Sequence, residues 1–294
     1  MRIKANRIKK PLSERVTLSI FFVVFLLFSL VFIYPVASTF FNSLKTDVEI
    51  IKNPTALPTE WNRIGNYLKV FTQFRVQITT VQVNYFGMLF NSLWMTAVRL
   101  FVNLLSSVLL AYPIAKFKFP GKNFLYALVI FANTIPLFGA GTTAYKLLRS
   151  LNMLDNPFLI WLSWAGGFDY AFIIFYGTFR GISDSYLESA SIDGASNITA
   201  LFKIVLPQAL PAIVALAITQ AIPMWNDYTT SMITMPKYPN LAYGIYSFEP
   251  GPFVKFDRAL YYCAIIISMI PPLALYGANQ KFILKNISAG GIKG

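Results

Sequence analysis

Val16-Thr17-Leu18-Ser19-Ile20-Phe21-Phe22-Val23-Val24-Phe25-Leu26-Leu27-Phe28-Ser29-Leu30-Val31-Phe32-Ile33-Tyr34-Pro35-Val36-Ala37-Ser38-Thr39-Phe40-Phe41-Asn42-Ser43-Leu44 runs from Arg15 to Lys45 without a charge. A helix of about 20 mostly apolar residues crosses a bilayer, so this stretch predicts a membrane-spanning helix over 17–42. The basic segment ahead of it also fits the start of a signal peptide. However, the apolar run is longer than a signal peptide requires and no small-x-small cleavage site follows it, which favours an uncleaved helix.

Working outward, further apolar segments lie near 89–113, 123–146, 157–180, 204–225 and 258–281, for six spans in all. Pro136, Pro211, Pro271 and Pro272 fall inside them. Neighbouring helices in a bundle can satisfy the carbonyls a proline frees, so these residues do not veto the spans. Basic residues set the orientation. Arg2, Lys4, Arg7, Lys9, Lys10 and Arg15 precede the first span, and Lys116, Lys118 and Lys122 follow the second. Arg180 and Lys203 flank the fourth connection, and Lys281, Lys285 and Lys293 lie after the last span. Short, basic segments thus share one face, which predicts an all-α membrane protein of six transmembrane helices with both termini cytoplasmic.

Composition narrows the function. Only 13% of residues are charged and 56% are hydrophobic, against about 25% charged in soluble proteins. The net charge of +13 is spread between apolar segments and forms no nucleic-acid-binding stripe. With no histidine and the single cysteine Cys263, an internal disulfide, a Cys/His zinc site and histidine acid–base catalysis are excluded. No G-x-x-x-x-G-K-[ST] loop occurs, so any ATPase is a separate chain.

The connection between the fourth and fifth spans reads Ser185-Tyr186-Leu187-Glu188-Ser189-Ala190-Ser191-Ile192-Asp193-Gly194-Ala195 and continues to Ile204, Leu206 and Pro207. Ser185 and Glu188 have the spacing of a capping box, and Gly194 suits the left-handed residue that ends a helix. On this physics alone an interfacial amphipathic helix lying on the membrane is the competing reading. The segment resembles the cytoplasmic signature loop of ABC importer permeases, E-A-A-x3-G-x9-I-x-L-P. Glu188, Ala190, Gly194, Ile204, Leu206 and Pro207 match it in register, with Ser189 replacing the first alanine. Asn91-Ser92-Leu93, Ala111 to Lys122, Asp193-Gly194-Ala195, Trp225-Asn226-Asp227-Tyr228 and Gly290 to Gly294 are similar to the maltose-type, carbohydrate-uptake branch, although that branch usually has Ala-Val where this chain has Gly291-Ile292.

The resemblance implies a coupling helix that docks on an ATPase, with Glu188, Ser189, Ala190, Asp193, Gly194, Ile204, Leu206 and Pro207 as the coupling residues. It implies a bacterial cytoplasmic-membrane complex of this chain, a homologous second permease, two ATPase subunits carrying ATP and Mg, and an extracytoplasmic solute-binding protein. No cofactor is expected on this chain and no catalytic residue, and nucleic acid is not an expected partner. The chain divides into a basic tail 1–16, the first span, an external loop 43–88, a five-helix core 89–285 with coupling loop 183–203 and external loop 226–257, and a tail 286–294. The 229–257 stretch is similar to the loop that reaches into a docked binding protein.

Ionisable residues inside spans are functional candidates. Arg99 lies 13 residues before Tyr112 and Asp169 lies 11 before Arg180, about 20 Å and 17 Å from the cytoplasmic ends. At similar depth they pair, share one cavity, or each meet separate partners. Trp164, Tyr170, Trp225, Asn226, Asp227 and Tyr228 complete the candidate substrate path, with core packing (Trp164, Tyr170) and an interfacial aromatic belt (Trp225, Tyr228) as the competing roles. An ion-coupled secondary transporter lacks support from internal repeats. An intramembrane enzyme lacks H-E-x-x-H, G-x-S-x-G and D-x-D, and a channel lacks a visible filter. A non-sugar ABC permease remains the nearest alternative.

Overall fold

A computed structural model describes residues 11–78, 81–135, 140–248 and 257–290, with residues 140 and 281–290 described by backbone alone. Pro136, the tail charges from Arg2 to Lys10 and residues 291–294 lie outside the described residues, as do the side chains of Lys281 and Lys285. Two compact units emerge, Met1–Val70 with Gly251–Ile267, and Phe71–Pro250 with Ser268–Gly294.

In the first unit, α1 (Leu12–Ser43) is a single helix of 32 residues whose most apolar window has no buried residue. A helix apolar on every side and unpacked by protein is suited to lipid. Phenylalanines four residues apart, Phe21 with Phe25 and Phe28 with Phe32, lie ring against ring along its surface. Two residues past the helix lies Lys45, a cation buried to 1% exposure. Its Nζ donates to Asn42 Oδ1 at 2.8 Å and to the carbonyls of Asn53 and Pro54 at 3.2 Å, which offsets the cost of removing it from water. Next, α2 (Asp47–Lys52) opens on a capping box between Thr46 and Glu49. Asp47 then holds Arg258, the first residue of the final helix, at 3.1 Å.

The stretch expected as an external loop at 43–88 is built of elements: α2, α3 (Gly65–Gln73) and an antiparallel hairpin of β1 (Arg75–Ile78) and β2 (Val81–Asn84). The hairpin corrects the all-α expectation. Its register places Val76 opposite Val83 and Ile78 opposite Val81. In β1, Val76 and Ile78 are buried while Arg75 and Gln77 are exposed, the two-residue alternation of a half-buried strand.

The second unit is organised on α4 (Tyr85–Lys116), a helix of 32 residues, about 48 Å long. The predicted span 123–146 is two helices, α5 (Lys122–Thr134) and α6 (Ala140–Ser150). Ile135 is extended, with ψ 117°, as a residue preceding proline prefers. The predicted span 157–180 is also interrupted. A 3-10 turn over Ile160–Trp164 gives way to α7 (Tyr170–Gly181), whose 12 residues are too few to cross a bilayer alone. After α8 (Ser185–Ile192) and α9 (Asn197–Ala200), a π turn over Leu201–Val205 leads through α10 (Leu206–Gln208) into α11 (Leu210–Trp225). The chain bends by 74° between these last two helices. Pro211, near the start of α11, has no N–H to continue the preceding helix. Among the described residues, three helices are long and apolar enough to cross a membrane, or four if that bent pair counts as one span.

The 226–257 stretch, read as a loop, contains α12 (Tyr228–Thr234) and α13 (Leu241–Tyr246), while residues 249–256 lie outside the described set. The last helix, α14 (Arg258–Gly290), continues into the region expected as a tail from 286. Phe172, Phe175 and Phe179 of α7 are fully buried with Ala111, Tyr112 and Ile114 of α4 and Leu216 of α11, so α4, α7 and α11 share one core.

Pro272 removes the N–H that would have bonded the carbonyl of Ser268 four residues back. Trp225 Nε1 donates to that carbonyl at 3.1 Å. Trp225→Phe keeps an aromatic ring, smaller than the indole, and deletes the donor, and we expect it to destabilise the purified protein by about 1–3 kcal/mol. Thermal unfolding in detergent measures this, and an unchanged midpoint would mean that the carbonyl finds another donor.

Candidate functional site

The interruption before α7 creates the polar centre of the second unit. Gly167 takes φ +107°, a conformation that L side chains rarely adopt. A Cβ on Gly166 would lie 2.3 Å from Asn103 Nδ2, so glycine lets the loop approach α4 closely. There the Gly166 N–H donates to Ser106 Oγ at 2.8 Å. Asp169 is the N-cap of α7: its Oδ1 accepts from the N–H groups of Ala171 (3.1 Å) and Phe172 (3.3 Å) and from Ser107 Oγ (3.2 Å). Its Oδ2 accepts from Asn103 Nδ2 at 2.8 Å. A carboxylate here satisfies orphan donors of the helix and favours its positive end.

Arg99 does not pair with Asp169. Its Nη1 donates to Asp227 Oδ2 at 2.5 Å and to Thr230 Oγ1 at 3.3 Å. Asp227 is itself the N-cap of α12, accepting from Thr230 N (3.0 Å) and Thr230 Oγ1 (2.5 Å). Each aspartate is thus fixed by the helix it starts. The two meet only through a shared cavity of about 390 Å³, lined by Arg99, Asn103, Asp169, Tyr170, Thr219, Gln220, Pro223, Met224 and Asp227.

Of the expected path residues, Arg99, Asp169, Tyr170 and Asp227 line this cavity. Trp164 does not: it is buried with Met95, Ile160 and Met235, its ring 6.0 Å from that of Trp94. Trp225 serves the proline-containing helix α14 and lines a separate apolar cleft of about 240 Å³. Asn226 is exposed, its Nδ2 donating to the Ile222 carbonyl at 3.1 Å. Tyr228 stacks on Tyr246 with centroids 4.4 Å apart. Asn103, Thr219 and Gln220 were missed, although an uncharged polar residue inside an apolar span is itself a signal.

The segment 183–207 lies at the other end of α4. α8 forms as expected, but without the capping box. Asp184 occupies the N-cap position but its side chain makes no capping bond to the helix, Ser185 is already helical, and Ser183 Oγ lies 2.8 Å from Ser185 Oγ. The far end does follow the glycine expectation. Gly194 has φ +78°, and the N–H groups of Gly194 and Ala195 donate to the carbonyls of Ser191 (3.0 Å) and Ala190 (2.9 Å), the Schellman pattern. Ala190 is buried, Ile204 and Leu206 are partly buried, and Glu188, Ser189, Asp193, Gly194 and Pro207 are exposed. Tyr186 and Ile192 also face outward, Ile192 at 86% exposure.

Both flanks of this segment are fastened to α4. Lys116 Nζ, on a side chain only 2% exposed, donates to the Ile182 carbonyl (2.5 Å) and to Asp184 Oδ1 (2.6 Å). That hydrogen bond and the lysine's charge hold the Asp184 carboxyl below its ordinary range. Downstream, Tyr112 Oη donates to the Asn197 carbonyl at 3.2 Å. The helix that carries Arg99 and Asn103 at the cavity therefore grips the exposed segment on both sides.

Because Arg99 and Asp227 each lose a charged partner when the other is removed, Arg99→Gln and Asp227→Asn should each destabilise by about 2 kcal/mol. The double variant should lose less than the sum of the two. Thermal melts of all four proteins measure the coupling, and strict additivity would mean that the contact contributes nothing.

Residues 103–247 match the family model described as "Binding-protein-dependent transport system inner membrane component". The chain is 27% identical over 281 residues to the diacetylchitobiose uptake system permease protein NgcG of Streptomyces coelicolor, covering 95% of this chain and 90% of the relative. It is 25% identical over 265 residues to the sulfoquinovosyl glycerol transport system permease protein SmoH of Agrobacterium fabrum, covering 89% of each. In fold it is similar to a chain of the bacterial ABC transporter involved in import of the acidic polysaccharide alginate, with TM-score 0.78, 23% identity, and 93% of this chain and 99% of that chain covered. The matched region holds the exposed segment and all of the cavity lining except Arg99, and over it the chain matches the binding-protein-dependent inner-membrane components, the permeases of ABC importers.

Proposed function

We propose that this chain forms half of the translocation path for a sugar or oligosaccharide, delivered by an extracytoplasmic binding protein and driven by ATP hydrolysis on separate subunits. The observation that carries the reading is the double attachment of the exposed segment to α4 through Lys116 and Tyr112, on the helix that lines the polar cavity with Arg99 and Asn103. Carbohydrate as the cargo is supported by the relatives, whose names specify diacetylchitobiose and sulfoquinovosyl glycerol.

In this reading α8 is the coupling helix and faces the cytoplasm, together with both termini, and the interrupted segments complete six crossings. Glu188, Ser189, Asp193 and Gly194 form its outer surface, and Ala190, Ile204 and Leu206 seat it on the core. Closure of two ATPase subunits on ATP and Mg displaces α8. Lys116 and Tyr112 pass that displacement to α4, and the cavity wall moves with it. A homologous second permease supplies the other wall, and the cavity alternates between outward and inward access. The chain itself performs no covalent step and binds no cofactor.

Two variants test separate parts of the scheme. Glu188→Arg places a cation on the outer face of α8. We expect affinity purification of the tagged wild type to recover an ATPase, a second permease and a solute-binding protein, and the variant to lose the ATPase. A chain that purifies alone in both forms would return the reading to a secondary transporter. Lys116→Met keeps the volume of the side chain and removes both bonds to the segment flank. The complex should still assemble while uptake per ATP hydrolysed falls severalfold in proteoliposomes, whereas an unchanged ratio would remove α4 from the coupling path.

A further inference from the structure

Several donors around the cavity are committed before any ligand arrives. Asn103 Nδ2 is held by Asp169, Arg99 Nη1 by Asp227 and Thr230, and Thr219 Oγ1 by the carbonyls of Ala215 (3.0 Å) and Leu216 (3.2 Å). Two of the acceptors are not. Asn103 Oδ1 and Gln220 Oε1 are buried without any hydrogen-bond partner, and Gln220 is only 6% exposed. An orphaned buried acceptor costs about 1–3 kcal/mol, so two of them on one cavity mark a place where a donor is missing. Both side chains line the cavity.

The charge balance points the same way. One guanidinium, Arg99, faces two carboxylates, Asp169 and Asp227, leaving the lining with a net negative charge. An entering carboxylate or sulfonate would meet like charge in a low-dielectric setting, which is strongly unfavourable. Hydroxyl groups of a neutral sugar, or the ammonium of an amino sugar, supply the missing donors and face no such repulsion. Tyr170 adds an exposed ring at the rim.

We propose that this cavity is a subsite for the hydroxyl-donating edge of a neutral or amino-bearing sugar ring, in which Asn103 and Gln220 supply the acceptors and Asp169 and Asp227 exclude acidic sugars. The inference rests on the transport function proposed above and adds to it the chemical class of the cargo. It also assigns substrate contact to this chain as well as to its partner permease.

The test uses the assembled transporter in nanodiscs without its binding protein, so that selectivity reports the permease cavity. Equilibrium binding is measured for a panel of radiolabelled neutral and amino di- and trisaccharides and for their uronic-acid counterparts. We expect at least tenfold tighter binding of a neutral or amino sugar than of its uronic-acid counterpart. Gln220→Met, similar in volume but lacking the acceptor, should weaken binding at least fivefold. Gln220→Glu, which retains acceptor oxygens, should stay within twofold of wild type. Asn103→Leu provides a second acceptor deletion, and only variants that recover their partners and melt like wild type are compared. Equal or tighter binding of uronic acids, indifference to both deletions, or no saccharide binding overturns the inference. Parallel uptake assays with the binding protein present separate the two levels. Saccharide uptake without binding at the cavity sinks this inference alone, and uptake of a non-sugar solute in place of saccharides sinks the functional reading as well.

Discussion

The bonds between Asp169 and α4 settle how the second unit can exist in a bilayer at all. Hydrocarbon offers no hydrogen bonds, so an interrupted helix is tolerated only where protein or a wet cavity satisfies its freed groups. Here the gap between the 3-10 turn and α7 lies against α4, where Ser106 accepts from Gly166 and both Ser107 and Asn103 donate to Asp169. Asp169 in turn caps α7 through Ala171 and Phe172. The polar residues of α4 thus act as a template for backbone that could not otherwise leave helical geometry at this depth. A cavity beside the gap follows from the same arrangement, because the capped helix starts where a continuous one would have filled the space.

This explains which features were legible in the sequence. Apolar length was enough for α1, α4 and α14, since a long uncharged run in lipid has only the helix available to it. The end of α8 was legible because Gly194 meets a steric demand that few other residues meet. Trp225 shows a more general expectation being met: a carbonyl freed by proline is satisfied by a neighbouring helix. The interruptions were harder to see. Gly166, Gly167 and Asp169 together form a readable helix-start signal, but the surrounding hydropathy is high enough for a span to be drawn straight through them. Ile135 before Pro136 was the same kind of mark.

The partner of Arg99 shows a different limit. Counting residues from the cytoplasmic end places a side chain along one axis, and on that axis Asp169 was a reasonable mate. Position around the helix bundle decides contact, and it brings Asp227 to 2.5 Å instead. Asn103 and Gln220 escaped notice because charge draws attention in an apolar sequence more strongly than an uncharged amide does. The hairpin was hidden by its shortness: two strands of four residues, joined without the Asn-Gly or Asp-Gly pair that usually announces such a turn.

In the proposed scheme α4 links the cavity to the exposed segment that carries α8. Its C-terminal end is bound to the flanks of α8 by Lys116 and Tyr112, and its middle presents Arg99 and Asn103 to the cavity. From Tyr112 to Arg99 is 13 residues, about 20 Å of helix, and α7 and α11 pack along it in one buried core. Close-packed interiors resist continuous deformation and shift between discrete arrangements. In the proposed scheme a displacement imposed on α8 therefore has little freedom to dissipate within α4 and would arrive at the cavity as movement of a wall. The ion pair between Arg99 and Asp227 joins that wall to the start of α12, so any motion of α4 relative to α12 must either carry α12 along or break a partly buried charge contact.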